Sequence, residues 1–202
     1  MNNRYDLNQP RRKPIRLKGY DYSRVGAYFI TIVAQGRMCL FGDVVDGEMR
    51  LNDAGMMVRR VWDGMPDRFP HIEMDEFVVM PNHGHGVIVI QQSPGENSAH
   101  PPVGASLVGA QSPTNIHSDT RATTRVAPTL GDVVGAFKSL TTLEYGRGVR
   151  ETGWPSFDKR LWQRNYYEHI IRNDKEWNMV REYINDNPAR WETDSENPDA
   201  IL

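Results

Sequence analysis

The stretch that decides the fold is residues 75–90, DEFVVMPNHGHGVIVI. Two apolar runs, at residues 77–80 and 87–90, flank a Pro-Asn pair. Short apolar runs on either side of such a pair predict a strand, a turn and a second strand. His83 and His85 stand where the second strand begins, and alternate residues of a strand point to the same face. The pattern therefore predicts two imidazoles on one side of a sheet.

The sequence also predicts secondary-structure elements on the N-terminal side of this stretch. Residues 26–35, GAYFITIVAQ, are apolar at both alternating positions, which predicts a buried central strand. Residues 41–51 carry an Asp-Gly pair between short apolar stretches, the pattern of a tight hairpin. Asn52 or Asp53 is predicted to cap a helix that runs to about Asp63.

On the C-terminal side, composition changes sharply. Residues 91–128 are rich in Ser, Pro, Gly, Thr and Ala, and such a segment buries too little surface to order itself, so we predict a flexible insertion. An amphipathic helix is predicted from Thr129 to Gly146. Asp174 is predicted to cap a last helix that stops before Pro188. The sequence thus predicts one α+β domain, in which helices pack on a small antiparallel sheet.

Composition limits the class of protein. The 202 residues are 39% hydrophobic and 25% charged, as in a globular protein with one core. No apolar run reaches the roughly 20 residues that a membrane helix needs. The polar, basic start of the chain predicts no secretory signal. Cys39 is the single cysteine, which excludes an intramolecular disulfide, and we predict a cytoplasmic protein.

Charge is distributed unevenly although the formal net charge is only −2. Residues 1–19 form a predicted basic arm suited to phosphate contacts; the alternative is a solvated terminus. Residues 193–202 form a predicted acidic tail. Five basic residues of the arm crowd into residues 11–18: Arg11, Arg12, Lys13, Arg16 and Lys18.

Two groups of residues carry candidate chemistry. Parallel imidazoles at His83 and His85 are half of a metal site, although paired histidines are often merely structural. In the last helix, Tyr183 and Asn187 are one turn apart on one face. The alternative for Tyr183 is a half-buried tyrosine with a solvated hydroxyl. Pro188 biases Asn187 away from helical geometry, so their spacing is predicted to be approximate.

Four blocks in this order resemble the REP-associated tyrosine transposases, within the single-tyrosine HUH class: VVMPNHGHGVIVI, FKSLTT, WQRNYYEHIIRND and REYINDNPARW. The resemblance covers about residues 20–91 and 129–192, and a single transposase domain spanning 20–192 is expected. It implies a ferredoxin-like fold, a divalent metal (Mg²⁺ or Mn²⁺) held by His83, His85 and Asn187, and Tyr183 as nucleophile. The implied reaction cleaves and rejoins DNA through a 5′-phosphotyrosine.

The resemblance also ranks other residues. Tyr166 and Tyr167 fall in a block treated as structural, below Tyr183 as nucleophiles. Independently of the resemblance, Arg164 and Arg172 are candidate contacts to single-stranded or hairpin DNA, the alternative being a solvated face. Gly84 replaces the bulky apolar residue usual in the class, and we expect thinner packing there.

Two other functions remain open from sequence. One is a non-catalytic hairpin-DNA-binding protein derived from a transposase. The other is a small-molecule metallohydrolase using the two histidines, for which Asp186 is the one well-placed further ligand. The sequence leaves open a monomer or a homodimer, the DNA sequence recognised, and the group that deprotonates Tyr183.

Overall fold

A computed structural model describes residues 24–91 and 128–200 of the protein. The predicted basic arm, which includes the cluster at residues 11–18, lies outside the described residues. Nearly all of the predicted insertion lies outside them as well. Among the described helices, none is long and apolar enough to cross a membrane.

The described chain alternates strands and helices, and we number them in chain order. The strands are β1 (Gly26–Val33), β2 (Gly42–Val45), β3 (Glu48–Leu51), β4 (Ile72–Val79), β5 (His83–Ile90) and β6 (Tyr167–Ile171). The helices are α1 (Asp53–Asp63), α2 (Met65–Arg68), α3 (Leu130–Thr152) and α4 (Asp174–Asp186), with 3₁₀ turns at Gln35–Arg37 and Pro188–Thr193.

Four strands form the main sheet in the order β4-β5-β1-β6, and every neighbouring pair is antiparallel. The connections β1–α1–β4 and β5–α3–β6 each carry a helix, which is the ferredoxin-like arrangement. The predicted α+β, ferredoxin-like class is therefore confirmed. Strands β2 and β3 form a separate hairpin that turns at Asp46 and Gly47, as the sequence predicts.

The central strand β1 is apolar on both sides because each side faces a different layer. Tyr28, Ile30 and Ile32 belong to the larger core, which α1 and α3 cover. Ala27 and Phe29 belong to a smaller core on the opposite face, beneath α4. Alternation along a single strand thus divides the molecule into two layers.

Helix α3 extends beyond its predicted end. It begins with a capping box between Thr129 and Asp132 and ends at Gly153, whose φ of 73° lies in the left-handed region. The prediction that Gly146 ends this helix is wrong, because helical backbone continues through it. Gly148 is needed inside the helix, since a Cβ there would lie 2.2 Å from the ring of Trp154.

The structure also shows which residues cap the N-termini of α1 and α4. Asn52, not Asp53, caps α1, because its side chain accepts a hydrogen bond from the amide of Gly55. Asp174 does not cap α4 as predicted. Asn173 does so, accepting from the amide of Glu176, and Asp174 becomes the first helical residue, where a negative charge is favourable.

Candidate active site

Strand β5 places both histidines on the face that α4 covers. His83 and His85 are buried, and their Nε2 atoms lie 3.0 Å apart. Two nitrogens at that separation match neighbouring ligands of one octahedral ion at a bond length of about 2.1 Å. The predicted convergence of the two imidazoles is present in the structure.

Asn82 fixes the orientation of His83. Its Nδ2 donates to the carbonyls of Arg37 (3.1 Å) and Glu196 (2.7 Å), so its Oδ1 is the atom that faces His83. That oxygen lies 2.8 Å from Nδ1 of His83 and accepts its proton. Nε2 of His83 therefore carries a lone pair directed into the site, as a metal ligand requires.

Thr31 and Phe29 support His85 from β1. The Thr31 hydroxyl lies 2.9 Å from Nδ1 of His85, and it satisfies either tautomer because a hydroxyl both donates and accepts. The ring of Phe29 stacks on the imidazole, with centroids 5.6 Å apart. Cross-strand register brings this about, because Thr31 pairs with His85.

Gly84 separates the histidines without leaving the expected thin packing. A Cβ at Gly84 would lie 3.0 Å from the ring of Phe77, which fills that space. Phe77 in turn stacks on Trp62, with centroids 4.0 Å apart. The expectation of thinner packing is wrong because an aromatic pair occupies the volume that a larger side chain would take.

Asp194 completes a cluster that the sequence did not single out. Its Oδ2 lies 3.7 Å from Nε2 of His83, and ligand atoms of His83, His85 and Asp194 all lie within 4.8 Å of one another. Its other oxygen accepts from the amide of Glu196. No spacing signal marks Asp194, since it stands among other acidic residues of the predicted tail.

The protonation states suit a cation. Burial lowers the pKa of His83 to about 4, and burial followed by the proximity of His83 lowers that of His85 well below its ordinary value. Both imidazoles are therefore neutral near pH 7, and the lone pair of His83 faces a carboxylate. Oδ1 of Asn187 is buried beside them and has no hydrogen-bond partner among residues 24–91 and 128–200. This donor set of two imidazoles, a carboxylate and an amide oxygen fits a divalent metal.

Tyr183 reaches the cluster from α4. Its hydroxyl lies 3.5 Å from Nε2 of His85, and its ring packs edge-on against Phe29, with centroids 5.9 Å apart. Burial, then the negative charge of Asp194, raises the pKa of Tyr183, while a hydrogen bond from Asn187 lowers it. The hydroxyl is thus protonated near neutral pH, and it faces the imidazole of His85.

Asn187 keeps helical geometry despite the proline that follows. Its φ and ψ are −58° and −42°, and Pro188 begins a 3₁₀ turn. The predicted bias away from the helix is therefore wrong. Asn187 is buried one turn after Tyr183, close enough to interact with that hydroxyl and with His83.

The remaining candidates lie elsewhere. Tyr166 packs against the larger core, 5.4 Å from the Lys138 ammonium, on the face opposite the histidines. Tyr167 shares their face and contacts Phe29. Arg164 is exposed in the turn before β6, where its carbonyl accepts from Lys138. Arg172 follows the far end of β6, roughly 20 Å along the sheet from the His83 end.

Comparisons with known proteins bear on this arrangement. No family model matches the chain. An uncharacterized protein from Haemophilus influenzae is 38% identical over 195 residues, covering 96% of this chain and 97% of the relative. The chain belongs to the same family as that protein.

Solved structures identify the fold. The structure of a REP-associated tyrosine transposase bound to a REP hairpin matches with a TM-score of 0.51 and 19% identity, covering 85% of this chain and 71% of that chain. The resemblance predicted from sequence is confirmed for the fold. A candidate transposase from Deinococcus radiodurans gives a TM-score of 0.44 at 13% identity, covering 83% of this chain and 92% of that one.

Proposed function

We propose that the protein is a metal-dependent transposase of the REP-associated, single-tyrosine type, which cleaves and rejoins single-stranded DNA. The observation that carries the proposal is the Tyr183 hydroxyl, 3.5 Å from a buried histidine of a three-residue metal-capable cluster. A tyrosine beside such a cluster is suited to attack a phosphodiester. A hydrolase that activates water would not require a tyrosine at this position.

In the proposed reaction, the Tyr183 oxygen bonds to the scissile phosphorus as the bond from phosphorus to O3′ breaks. The products are a 5′-phosphotyrosine and a free 3′-hydroxyl. Tyr183 loses one proton and O3′ gains one, so the step is balanced. Attack by a 3′-hydroxyl on the phosphotyrosine reverses it, which rejoins DNA without an external energy source.

Four residues would hold the metal. His83, His85 and Asp194 supply two nitrogens and a carboxylate, and Asn187 supplies the buried amide oxygen. When bound, Mg²⁺ or Mn²⁺ neutralises phosphodiester charge as a Lewis acid and favours ionisation of the neighbouring tyrosine. Asn82 and Thr31 hold the imidazoles in place from behind.

The proposed partner is single-stranded or hairpin DNA. The solved relative in fold was bound to a REP hairpin. Arg164 is exposed near the C-terminal end of β1. We propose that Arg164 contacts phosphates, and, separately, that the basic arm does so. Such contacts make binding salt-dependent.

The experiment incubates the protein with 5′- and 3′-labelled hairpin oligonucleotides and Mn²⁺ or Mg²⁺, then resolves covalent adducts on a denaturing gel. We expect an adduct that requires metal, is lost in Tyr183→Phe and persists in Tyr167→Phe, the matched variant on the same face. DNA binding without an adduct across a broad hairpin pool would instead support the non-catalytic DNA-binding protein.

A further inference from the structure

We propose that Asp75 is a positioning residue that holds Tyr183 against His85, by fixing helix α4 to the edge strand β4. The expected effect of Asp75 on catalysis rests on the function proposed above. Its structural part concerns three side chains, Asp75, Trp177 and Arg181, which form one polar cluster on the α4 side of the sheet.

Both oxygens of Asp75 are engaged by α4. Oδ2 accepts from the Trp177 indole at 2.5 Å and from Nε of Arg181 at 2.9 Å, while Oδ1 accepts from a terminal nitrogen of Arg181 at 2.8 Å. The Arg181 guanidinium lies over the Trp177 ring, 5.4 Å from its centroid. A bidentate carboxylate with a third donor fixes direction as well as distance.

The cluster sets the rotation of α4 about its own axis. Trp177 and Arg181 are four residues apart and share one side of the helix. Tyr183 follows Arg181 by two residues, about 200° around the helix at roughly 100° per residue. Holding Arg181 toward β4 therefore directs Tyr183 the other way, toward Phe29 and His85.

Apolar packing alone constrains this rotation weakly. The buried residues of α4 are Val180 and Ile184, and the core beneath the helix is small. Trp177 and Tyr183 pack against the same core but are only partly buried, so we infer that a directional polar contact adds to the rotational restraint. At the start of the helix, Glu176 contacts Nε2 of His169 (2.6 Å) and the amide of Arg172, which fixes α4 to the other edge strand.

Asp75 lies at a bulge in β4, on the side of the strand that faces α4. The pairing register with β5 shifts between Met74 and Phe77, so both of these residues pack against the larger core although an odd number of steps separates them. The two residues between them are left out of the regular register, and Asp75 meets α4. Bulges commonly re-aim a side chain beside an active site.

The test compares Asp75→Ala and Arg181→Lys with Glu144→Ala, which removes the Arg60–Glu144 ion pair (2.6 Å) between α1 and α3 on the other layer. The first readout is the single-turnover rate of adduct formation at saturating hairpin DNA, with affinity measured separately. We expect Asp75→Ala to slow the reaction about 10- to 100-fold with little change in Kd. Arg181→Lys should lie between it and the wild type, and Glu144→Ala should match the wild type.

The second readout does not need activity. In protein with ¹³C-labelled tyrosine rings, signals of Tyr183, assigned by their loss in Tyr183→Phe, should shift in Asp75→Ala but not in Glu144→Ala. Unchanged Tyr183 signals, or an unchanged rate in a reactive protein, would overturn the positioning role. A wild-type protein that forms no adduct would overturn the proposed function, and the ring signals would still decide whether Asp75 places Tyr183.

Discussion

The hydroxyl of Tyr183 lies 3.5 Å from Nε2 of His85, although 98 positions separate the two residues in the chain. One comes from a helix that packs on the sheet and the other from a strand inside it. Their proximity depends on the antiparallel sheet, the covering helix and the polar contacts that fix the helix. The geometry of the candidate site therefore depends on the contacts between the helix and the sheet, and each of these contacts can be tested separately.

Metal binding should stabilise the folded protein through the histidine pair. Ion at 100 times its Kd stabilises by about 2.7 kcal/mol, which raises the melting temperature by roughly 5–10 °C for a chain of this size. We expect Mn²⁺ to produce such a shift, reversed by EDTA, in wild type and in His71→Gln. His85→Gln should lose it. An equal shift in His85→Gln would place the metal elsewhere.

Asn82 should matter for metal affinity beyond its effect on stability. Asn82→Ala removes the acceptor that orients His83, and loss of such a supporting contact typically weakens metal binding 10- to 100-fold. The matched variant is Asn52→Ala, which removes a helix cap and costs about 1 kcal/mol of stability. Calorimetric titration with Mn²⁺ should show weakened binding only for Asn82→Ala; equal affinities would show that Asn82 does not orient the ligand.

The Asp75 cluster should contribute a pH-dependent part of stability. Burial raises the pKa of Asp75, but hydrogen bonds from Arg181 and Trp177 outweigh it, and the folded-state pKa lies below the ordinary 3.8. The contribution is therefore present above pH 3.8 and is lost as pH falls through the lowered pKa.

Urea unfolding measured from pH 7 to pH 2 tests the direction of this pH dependence. The destabilisation of Asp75→Asn relative to wild type should be largest near neutral pH and should shrink below pH 3.8. Asp63→Asn, which removes an exposed carboxylate paired with Arg59, should change stability little. A difference for Asp75→Asn that grew toward acid pH would contradict the argument.

Two glycines of α3 should respond oppositely to alanine. At Gly148 an added Cβ would meet Trp154 at 2.2 Å, whereas at Gly135 no atom of the part of the chain that the structure describes lies within 4 Å. Gly135→Ala should stabilise by about 0.5–1 kcal/mol through helix propensity, and Gly148→Ala should destabilise by about 1–3 kcal/mol through overpacking. Denaturant unfolding of the pair measures both; destabilisation of similar size in each would refute the packing explanation.

Much of the fold could be predicted because its signals are local. The apolar run of β1, the turn at Asp46 and Gly47 and the start of α3 at Thr129 each depend on neighbouring residues. The end of α3 could not be predicted in this way. A glycine alone does not mark the end, because both Gly146 and Gly153 are available, although the proline two residues after Gly153 favours the later one. The left-handed backbone of Gly153, with Trp154 packed back onto Gly148, places the end there.

The candidate site likewise has a part that could be predicted from sequence and a part that could not. His83 and His85 are two residues apart on a strand, so their convergence follows from strand geometry. Asp194 lies in a segment that is held near them by contacts between distant parts of the chain. Asn82 donates to the carbonyl of Glu196, and Arg37 pairs with the Glu196 side chain. No periodicity encodes such contacts, and one more carboxylate in an acidic segment carries no mark of its own.

The double-sided burial of β1 has a consequence for folding fidelity. Because side chains alternate, a slip of one residue in the pairing of β1 with β5 would exchange the two apolar sets and leave His85 without Thr31. The exchanged sets differ in size, since one packs beneath two helices and the other beneath α4 alone. A chain paired in the wrong register would thus lose its core packing and the support of His85 together, so that only the correct strand register assembles the candidate site.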